Sequence, residues 1–335
     1  MNDFLLGILK WINGWVGSYG WAMVVFTILI RLVLTPLDIK SRVSMRKTSK
    51  LQPQMQALQK KYANDKEKLN QKTAELYRKE KINPLSSCLP LLLTWPILIA
   101  VFAAMRMAAN KEMLLQIGEI LNQQAPTLEP WLWIKNLWMP DSLFSPAYPD
   151  SGTMAQIASD QWVAWFNSLD QANLPILMKD LGLTVDSFGG DKLRATIDAI
   201  YNAMLQNTAY AEGISVNGGW TFNLLITQMS VAKMFNGLML LPILSCVSQI
   251  LMTKLTTGGQ PQQPAQQGQP NTGKFMQWFF PIFSLVICFG YSSAFALYWV
   301  AGNLVSMAQT VIINKVLDNK EKKAAAVTAG EGSVK

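Results

Sequence analysis

Five apolar stretches of the chain are each close to the length needed to cross a lipid bilayer. They cover residues 15–38, 84–106, 235–256, 275–291 and 294–314, where one crossing takes roughly 20 residues of helix. The last two come from a single apolar run that is too long for one helix at ordinary tilt, and the residues GYSS at 290–293 supply a break. The sequence therefore predicts an all-α polytopic membrane protein with five transmembrane helices.

The charged residues are unevenly divided among the segments that join these stretches. Residues 40–81 hold 13 Lys/Arg and 4 Asp/Glu, whereas residues 107–235 hold 6 Lys/Arg and 12 Asp/Glu. The positive-inside rule places the first segment in the cytoplasm, which puts the N-terminus outside and the C-terminus in the cytoplasm. We therefore expect a multi-pass protein of the cell (inner or cytoplasmic) membrane, with its net charge of +8 concentrated toward anionic lipid on the cytoplasmic side.

The segments outside the apolar stretches differ in character. Residues 1–14 have the amphipathic pattern of a helix that lies in the membrane interface. Residues 39–83 contain two runs at helical spacing around a turn, which predict a cytoplasmic helical hairpin. This hairpin is either a basic, mobile collector of acidic or nascent partners or a solvated loop with ordinary positive-inside charge. The Gln/Pro/Gly-rich residues 257–274 predict a disordered cytoplasmic linker, and residues 315–335 predict a cytoplasmic basic tail that is frayed from about Asn319.

The second connecting region, residues 107–234, is expected to lie outside the cell. Within it, an insertion over residues 142–232 carries several short amphipathic stretches that predict a small helical cap. Two aromatic groups have different expected places. Trp131, Trp133 and Trp138 are typical of an interface belt, while Trp162, Trp165 and Phe166 are expected in the core of the cap rather than in a ligand cage.

The composition excludes several kinds of chemistry. The chain has no histidine, which removes Ser-His-Asp and Cys-His catalysis and every His-ligated metal site. Its three cysteines are widely spaced in apolar segments, which is no zinc ligand set and no disulfide framework. No phosphate-binding loop is present, and no carboxylate lies at depth in a span, which argues against a proton-driven transporter and an intramembrane protease. We expect no enzyme activity, no cofactor and no metal.

Arg31 lies inside the otherwise apolar run from about Trp15 to Leu37 of the first stretch, and Thr27 lies one helical turn before it. An arginine at the centre of a membrane helix costs ~2.5–3.5 kcal/mol on insertion scales. Arg31 lies about 9 Å inside the end of the stretch at Leu37, so its side chain either snorkels to the interface or faces a wet cavity among helices. Other polar residues in the spans are Ser245, Ser248, Gln249, Asn303, Ser306 and Gln309.

Several motifs resemble the YidC family of membrane-protein insertases. The block NPLSSCLPLLLTWPI at residues 83–97 is the most specific of them. The others are TILIRLVLTP at 27–36, the amphipathic run 51–62 with Leu76-Tyr77, LWIKNLWMPD at 132–141, LPIL at 241–244 and LYW at 297–299. The resemblance as a whole extends over about two thirds of the chain, with these motifs in the order the family has, so the chain is identified as a member of the family, of the bacterial type.

The resemblance implies a core of five helices around a hydrophilic groove that opens to the cytoplasm and to lipid. In this family an arginine of the first core helix lies in the groove, and that position is Arg31. The same comparison implies that Thr27 and Trp299 are groove residues, and Gln249 is added from its expected depth. The implied function is that of an insertase and chaperone, working alone or beside the Sec channel.

The implied partners are nascent membrane proteins, the lipid bilayer, the Sec translocon and the ribosome or targeting machinery, without specific DNA binding. The chain departs from the family in its enlarged outer insertion, for which docking of an outer partner is one hypothesis. Its short, mildly basic tail also puts ribosome contact through the tail in doubt.

Two other functions stay open on the residues alone. They are a small-anion channel that uses Arg31 for selectivity, and a structural assembly factor in which Arg31 holds two helices together.

Overall fold

The computed structural model describes residues 2–80, 89–170, 172, 174–223, 228–257 and 272–332. These residues are predominantly helical, which confirms the all-α polytopic class. The helices in chain order are α1 (Asn2–Val16), α2 (Tyr19–Lys50), α3 (Gln52–Lys61), α4 (Lys66–Lys79), α5 (Leu89–Leu121), α6 (Ser151–Met154), α7 (Ser159–Ser168), α8 (Lys192–Met204), α9 (Thr208–Ile214), α10 (Leu240–Thr257), α11 (Thr272–Gly290) and α12 (Ser293–Gly332). Two short 3₁₀ helices, Ile176–Leu181 and Val185–Phe188, and two strands, β1 (Val216–Asn223) and β2 (Gln228–Ala232), complete the described elements.

Two helices within the described residues are long and apolar enough to cross a membrane. They are α2 and the part of α12 from Ser293 to Lys323. Shorter apolar helices cover Phe4–Val16, Leu240–Thr256 and Gln277–Gly290. The long apolar run near the C-terminus is broken at the predicted place, because α11 ends at Gly290 and α12 begins at Ser293. The count of five spans stays a prediction. Residues 83–88 of the most specific motif, with Cys88, and most of the predicted linker lie outside the described residues.

The chain divides into two compact units. The first contains Met1–Phe26, Ala100–Ser245 and Ser284–Trp299, and therefore holds α1, most of α5, the insertion and α6 to α9. The second contains Thr27–Ile99, Cys246–Phe283 and Val300–Lys335. Each unit is described in turn.

The insertion of the first unit packs onto α5. Asn110 of α5 donates a hydrogen bond from Nδ2 to Oε1 of Gln161 on α7, with the two atoms 2.6 Å apart. Asn207 donates from Nδ2 to the carbonyl of Ile120 at 3.1 Å, which satisfies a carbonyl in the last turn of α5. The predicted aromatic core is confirmed, since Trp162, Trp165 and Phe166 are buried, and the ring of Trp162 stacks on that of Phe188 at 5.8 Å.

The insertion is not wholly helical, which corrects the prediction of a helical cap. β1 and β2 form an antiparallel hairpin with an irregularity between Val216 and Thr221. Residues 216–223 include valine, tryptophan, threonine and phenylalanine, which favour extended backbone. Short amphipathic spacing elsewhere in the insertion obscured this local preference.

The tryptophans expected in an interface belt are instead packed against the start of α2. Trp131 is only 8% exposed and Trp138 only 3%. The ring of Trp131 lies so close to Gly20 that a Cβ there would overlap it at 2.1 Å. Trp138 meets Tyr19 edge to face, with ring centroids 5.1 Å apart. The prediction of a belt at Trp131 and Trp138 was wrong, because tertiary packing buries these rings.

The two ends of the insertion are tied together by a buried amide network. The backbone N–H of Asn136 donates to Oδ1 of Asn236 at 2.7 Å, and Nδ2 of Asn236 donates back to the carbonyl of Asn136 at 2.9 Å. Beside this pair, the buried carboxylate of Asp141 accepts hydrogen bonds from the N–H groups of Met239 and Leu241 at 3.1 and 2.7 Å. Because α10 begins at Leu240, Asp141 caps that helix across a long loop.

The first unit also contains a cavity of about 560 Å³ between α1, α5 and α7. Apolar side chains such as Leu9, Leu114 and Trp165 form its buried wall. Lys10, Lys111 and Glu112 also line it. Burial raises the pKa of the Glu112 carboxyl, and the positive charges of Lys10 and Lys111 oppose that rise. Glu112 is therefore a carboxylate in an environment that disfavours its charge.

The raised pKa of Glu112 predicts a pH-dependent stability. The folded protein holds the Glu112 proton more tightly than the unfolded chain, so stability falls as pH rises from the unfolded pKa through the raised folded value. We expect Glu112→Gln to raise the thermal midpoint above that of the wild type at pH 7 and to match it near pH 4. Unfolding scans in detergent at both pH values measure this, with the exposed Glu67→Gln as the control. Equal midpoints for Glu112→Gln and wild type at pH 7 would contradict the prediction.

In the second unit, α3 and α4 form the predicted helical hairpin. Pro53 occupies the first turn of α3, and Oδ1 of Asp65 caps α4 by accepting from the N–H of Lys68 at 3.0 Å. Leu58 and Leu76 face the same groove between the two helices. The paired apolar spacing of the sequence therefore corresponds to a helix–turn–helix with a shared seam.

The prediction of a frayed tail was also wrong, because α12 continues as a helix to Gly332. Residues 319–327 (NKEKKAAAV) are mostly strong helix formers, which explains the continuation. α2 likewise continues past the expected end of its span, to Lys50. Arg46 of α2 forms an ion pair with Asp318 of α12 at 2.7 Å and also donates to the carbonyl of Asn314 at 3.1 Å.

Candidate functional site

A stripe of polar residues runs along one face of α2 in the second unit. Its members recur at intervals of three or four residues, which places them on one side of the helix. They are Thr27, Arg31, Thr35, Asp38, Arg42 and Arg46, and we call them the polar stripe. The neighbouring face carries Leu29, Leu32 and Val33, which are 43%, 57% and 79% exposed. α2 therefore presents an apolar face suited to lipid and a polar face turned toward other parts of the protein.

Gly302 of α12 makes room for the Arg31 guanidinium. A Cβ at Gly302 would lie 3.3 Å from Nη2 and 3.7 Å from Nε of Arg31, and 3.8 Å from Cγ2 of Thr27. The missing side chain thus lets the guanidinium lie directly against the backbone of α12. Arg31 is half-buried, and Thr27 is fully buried.

Gln309 joins α12 to the backbone of α2 at the level of Arg31. Its Nε2 donates to the carbonyl of Arg31 at 3.0 Å and to Oγ1 of Thr35 at 2.7 Å. Thr35 in turn donates from Oγ1 to the same carbonyl at 3.0 Å. About two turns beyond Thr35 on α2, Arg42 donates from Nη2 to Oγ1 of Thr310. These contacts fix the backbone that carries Arg31 without engaging its guanidinium.

The Arg31 guanidinium itself is unpaired within the described ranges. No carboxylate lies within 4.0 Å of it there, in contrast to Arg46, and no hydrogen bond to its side chain is formed by a described residue. A guanidinium has five N–H donors and stays charged. Its half-buried position is stable only if water or an incoming acceptor satisfies those donors. Arg31 therefore presents an available positive charge on a backbone that hydrogen bonds hold in place.

The other two predicted site residues lie on different elements. Gln249 is half-buried on α10 in the same unit as Thr27 and Arg31. Next to it, Oγ of Ser248 accepts a hydrogen bond from Nδ2 of Asn303 on α12 at 3.0 Å, so α10 and α12 are joined at this level. Trp299 is the last residue of the first unit, where its ring packs 5.8 Å from that of Phe295. The structure thus brings Thr27 and Arg31 together, whereas the groove roles of Gln249 and Trp299 stay predictions.

Sequence reasoning missed two residues beside Arg31 and one ion pair further along α2. Gly302 gave no signal beyond being a small residue in the last span. Thr35 could have been found, because it lies four residues after Arg31 on the same helical face. The pairing of Arg46 with Asp318 required knowing that both helices continue beyond their apolar stretches.

These features define a class of protein: an all-α polytopic membrane protein with an arginine between its helices that no described residue pairs with. A sequence model of the 60Kd inner membrane protein family matches residues 11–186 and 196–322. The chain therefore belongs to the 60Kd inner membrane protein family, and it is a cell membrane protein.

Three relatives, each named membrane protein insertase YidC, illustrate the similarity. The protein of Chlorobaculum tepidum is 25% identical over 323 residues, which cover 96% of this chain and 37% of the relative. That of Fusobacterium nucleatum is 45% identical over 106 residues, or 32% of this chain and 52% of the relative. That of Aromatoleum aromaticum is 42% identical over 141 residues, or 42% of this chain and 23% of the relative. The chain thus spans about half or less of the length of these relatives.

Proposed function

We propose that this protein is a membrane-protein insertase and chaperone. It receives nascent membrane proteins at a hydrophilic groove open to the cytoplasm and releases their apolar helices into lipid, without the Sec channel or beside it. The observation that carries the proposal is the unpaired, half-buried guanidinium of Arg31 against Gly302. Membership of the 60Kd inner membrane protein family and the similarity to relatives named membrane protein insertase YidC support it.

The energetics favour a passive mechanism. Moving Leu, Ile, Phe or Val into the membrane centre gains roughly 0.3–0.6 kcal/mol each, whereas a charged residue costs ~2.5–3.5 kcal/mol. An apolar helix of roughly 20 residues therefore drives its own insertion, and the barrier is the passage of the polar tail. A groove that hosts the tail lowers that barrier without a nucleotide, and Arg31 favours tails that carry carboxylates.

We assign the groove residues as follows. Arg31 offers its guanidinium to acidic groups of the passing tail. Thr27 packs beside it one turn along α2, and Gln249 and Trp299 contribute polar and aromatic surface to the same groove. The helical hairpin of α3 and α4 receives substrates at the cytoplasmic mouth.

The proposal includes a topology and a set of partners. Five helices cross the membrane, with the N-terminus outside and the C-terminus in the cytoplasm. The Sec translocon and the ribosome or targeting machinery are the partners, besides the nascent chains themselves and the bilayer. The excess of Lys/Arg in residues 40–81 supports this orientation.

Insertion into vesicles tests the proposed function. Vesicles with and without the purified protein receive a single-span substrate with an acidic N-terminal tail, and protease protection reports translocation. We expect protection of the tail in vesicles that contain the protein and little in empty vesicles. Equal protection in both would overturn the proposal. Anion efflux without any insertion would instead identify a channel.

A substitution at Gly302 tests whether the space beside Arg31 matters. Gly302→Leu adds a branched side chain at a position where a Cβ alone would lie 3.3 Å from Nη2 of Arg31. We expect the insertion rate to fall about tenfold, the equivalent of ~1.4 kcal/mol and within the range of overpacking costs. Gly302→Ala is expected to have a smaller effect, because the end of the flexible Arg31 side chain can shift.

Gly14→Leu is the matched control for this variant. A Cβ at Gly14 meets no atom within 4 Å, so the same substitution there tests the added side chain alone. Wild-type insertion by a folded Gly302→Leu protein would contradict the role of this space.

A further inference from the structure

The cavity between α1, α5 and α7 has a mostly apolar lining with charged side chains at its edge. Its volume of about 560 Å³ falls in the range of small-molecule sites, roughly 300–1,000 Å³. Leu9, Leu114 and Trp165 are each less than 8% exposed and form a closed apolar wall. Lys10 and Lys111 line the same cavity but are exposed themselves. The cavity thus combines a buried apolar surface with cations that reach solvent.

The cations are free to bind an anion. Neither Lys10 nor Lys111 has a carboxylate within 4.0 Å among the residues that the structure describes. Both nevertheless lie close enough to Glu112 for their charges to act on it. Among the residues that line the cavity, two ammonium groups and one carboxylate leave a net positive charge, and the charges of Glu119 and Glu129, which do not line it, also act on Glu112. An anionic group seated there would be attracted by both lysines.

α1 indicates where the mouth of the cavity lies. Phe4, Trp11 and Trp15 of this helix are 70%, 64% and 80% exposed, although they are large and apolar. Such a helix lies in the membrane interface with these side chains in the lipid. The other side of α1 provides Leu6, Leu9 and Lys10 to the cavity. The cavity is therefore next to the layer in which lipid headgroups meet acyl chains.

We propose that this cavity binds one bilayer phospholipid, with an acyl chain in the apolar part and the phosphate at Lys10 and Lys111. The apolar wall matches a hydrocarbon chain, and the two lysines match a phosphate at the end of that chain. α7 belongs to the insertion, so the lipid contacts a helix that lies outside the apolar stretches of the chain.

Photolabelling in nanodiscs tests the proposal. The full-length protein is reconstituted with a phosphatidylglycerol that carries a diazirine in its acyl chain, and the adducts are mapped by mass spectrometry. Bulk lipid labels the exposed face of α1 in any case, so the informative region is Gln161–Ser168 of α7. We expect adducts there, and we expect Ala164→Trp, which fills the cavity from α7, to remove them.

Charge variants and a lipid without phosphate test the headgroup site. Lys10→Gln and Lys111→Gln should each reduce α7 labelling about fivefold at low lipid fraction, the equivalent of ~1 kcal/mol for one lysine near a lipid phosphate. Lys179→Gln, an exposed lysine that does not line the cavity, should leave labelling unchanged. Diacylglycerol with the same photoreactive chain should label α7 less than the phospholipid does.

Three outcomes would overturn the proposal. The first is labelling of α1 without labelling of α7 in the folded wild type. The second is α7 labelling that is indifferent to both lysines and to the phosphate. The third is crosslinking of a photoreactive residue at position 164 to another polypeptide in place of lipid, which would make the cavity a protein-docking site.

Discussion

Replacing Arg31 with alanine is expected to lower the insertion of a substrate with an acidic tail by about 10- to 150-fold. A hydrogen bond to a charged group contributes roughly 1.5–3 kcal/mol, and each 1.36 kcal/mol changes a rate tenfold. The effect should appear in the rate and leave the abundance of the protein nearly unchanged, because the described residues form no hydrogen bond or ion pair with this guanidinium and Asp38 acts on it only from a distance. Arg31→Lys should retain most of the activity, since the charge is kept.

The measurement is translocation of the substrate tail into vesicles that contain equal amounts of each variant. Arg194→Ala is the matched control, because Arg194 is exposed on α8 and, in the part of the chain that the structure describes, pairs only with Asp198 four residues later. A substrate whose tail lacks acidic residues should be inserted by Arg31→Ala at nearly the wild-type rate. Wild-type insertion of the acidic substrate by Arg31→Ala would show that the charge is dispensable. A fall in protein abundance instead would favour a purely structural arginine.

Asp141→Ala is expected to destabilise the folded protein by about 4 kcal/mol. The fully buried carboxylate accepts from the N–H groups of Met239 and Leu241 and from Nε1 of Trp133 at 3.2 Å. A buried donor left without an acceptor costs roughly 1–3 kcal/mol, and three donors lose their acceptor together. Partial relaxation of the structure around the three donors makes the total loss smaller than the sum of their separate costs. In a protein of this size the loss corresponds to a thermal midpoint about 10 °C lower.

Thermal unfolding of the purified protein in detergent measures this loss. The thermal midpoint of Asp141→Asn should lie between those of Asp141→Ala and the wild type. The asparagine amide keeps one acceptor oxygen, but its NH2 group is a donor and faces the backbone N–H groups unfavourably. Gly237→Ala should be destabilising as well, since its Cβ would overlap Oδ1 of Asp141 at 2.0 Å. Asp180→Ala, at an exposed position, serves as the control. A midpoint for Asp141→Ala within a degree or two of wild type would mean that α10 does not depend on this cap.

The features that depend on local sequence could be predicted. The break at Gly290 and the hairpin of α3 and α4 follow from turn residues and helical spacing, which act over a few residues. The place of Arg31 on one face with Thr27 follows in the same way. The all-α membrane class follows from apolar length alone.

The features that depend on distant contacts could not be predicted. The space at Gly302 is informative only when Arg31 is known to lie against it, and the two are separated by most of the chain. The same holds for Trp131, whose apolar ring suits a membrane interface and a packed contact with Gly20 equally well. The helical tail was mispredicted for another reason, because its basic composition suggested disorder while its alanines and lysines favour a helix.

The amide exchange between Asn136 and Asn236 has an evolutionary consequence. The chain enters and leaves the insertion at neighbouring points, so the length of the insertion is nearly independent of the geometry of α5 and α10, which it joins. Doubling the length of a loop with fixed ends costs only about 0.6 kcal/mol. A lineage can therefore enlarge, shrink or exchange the domain at this point while α5 and α10 stay the same. The remaining constraint is the surface of α5, which any replacement domain has to cover.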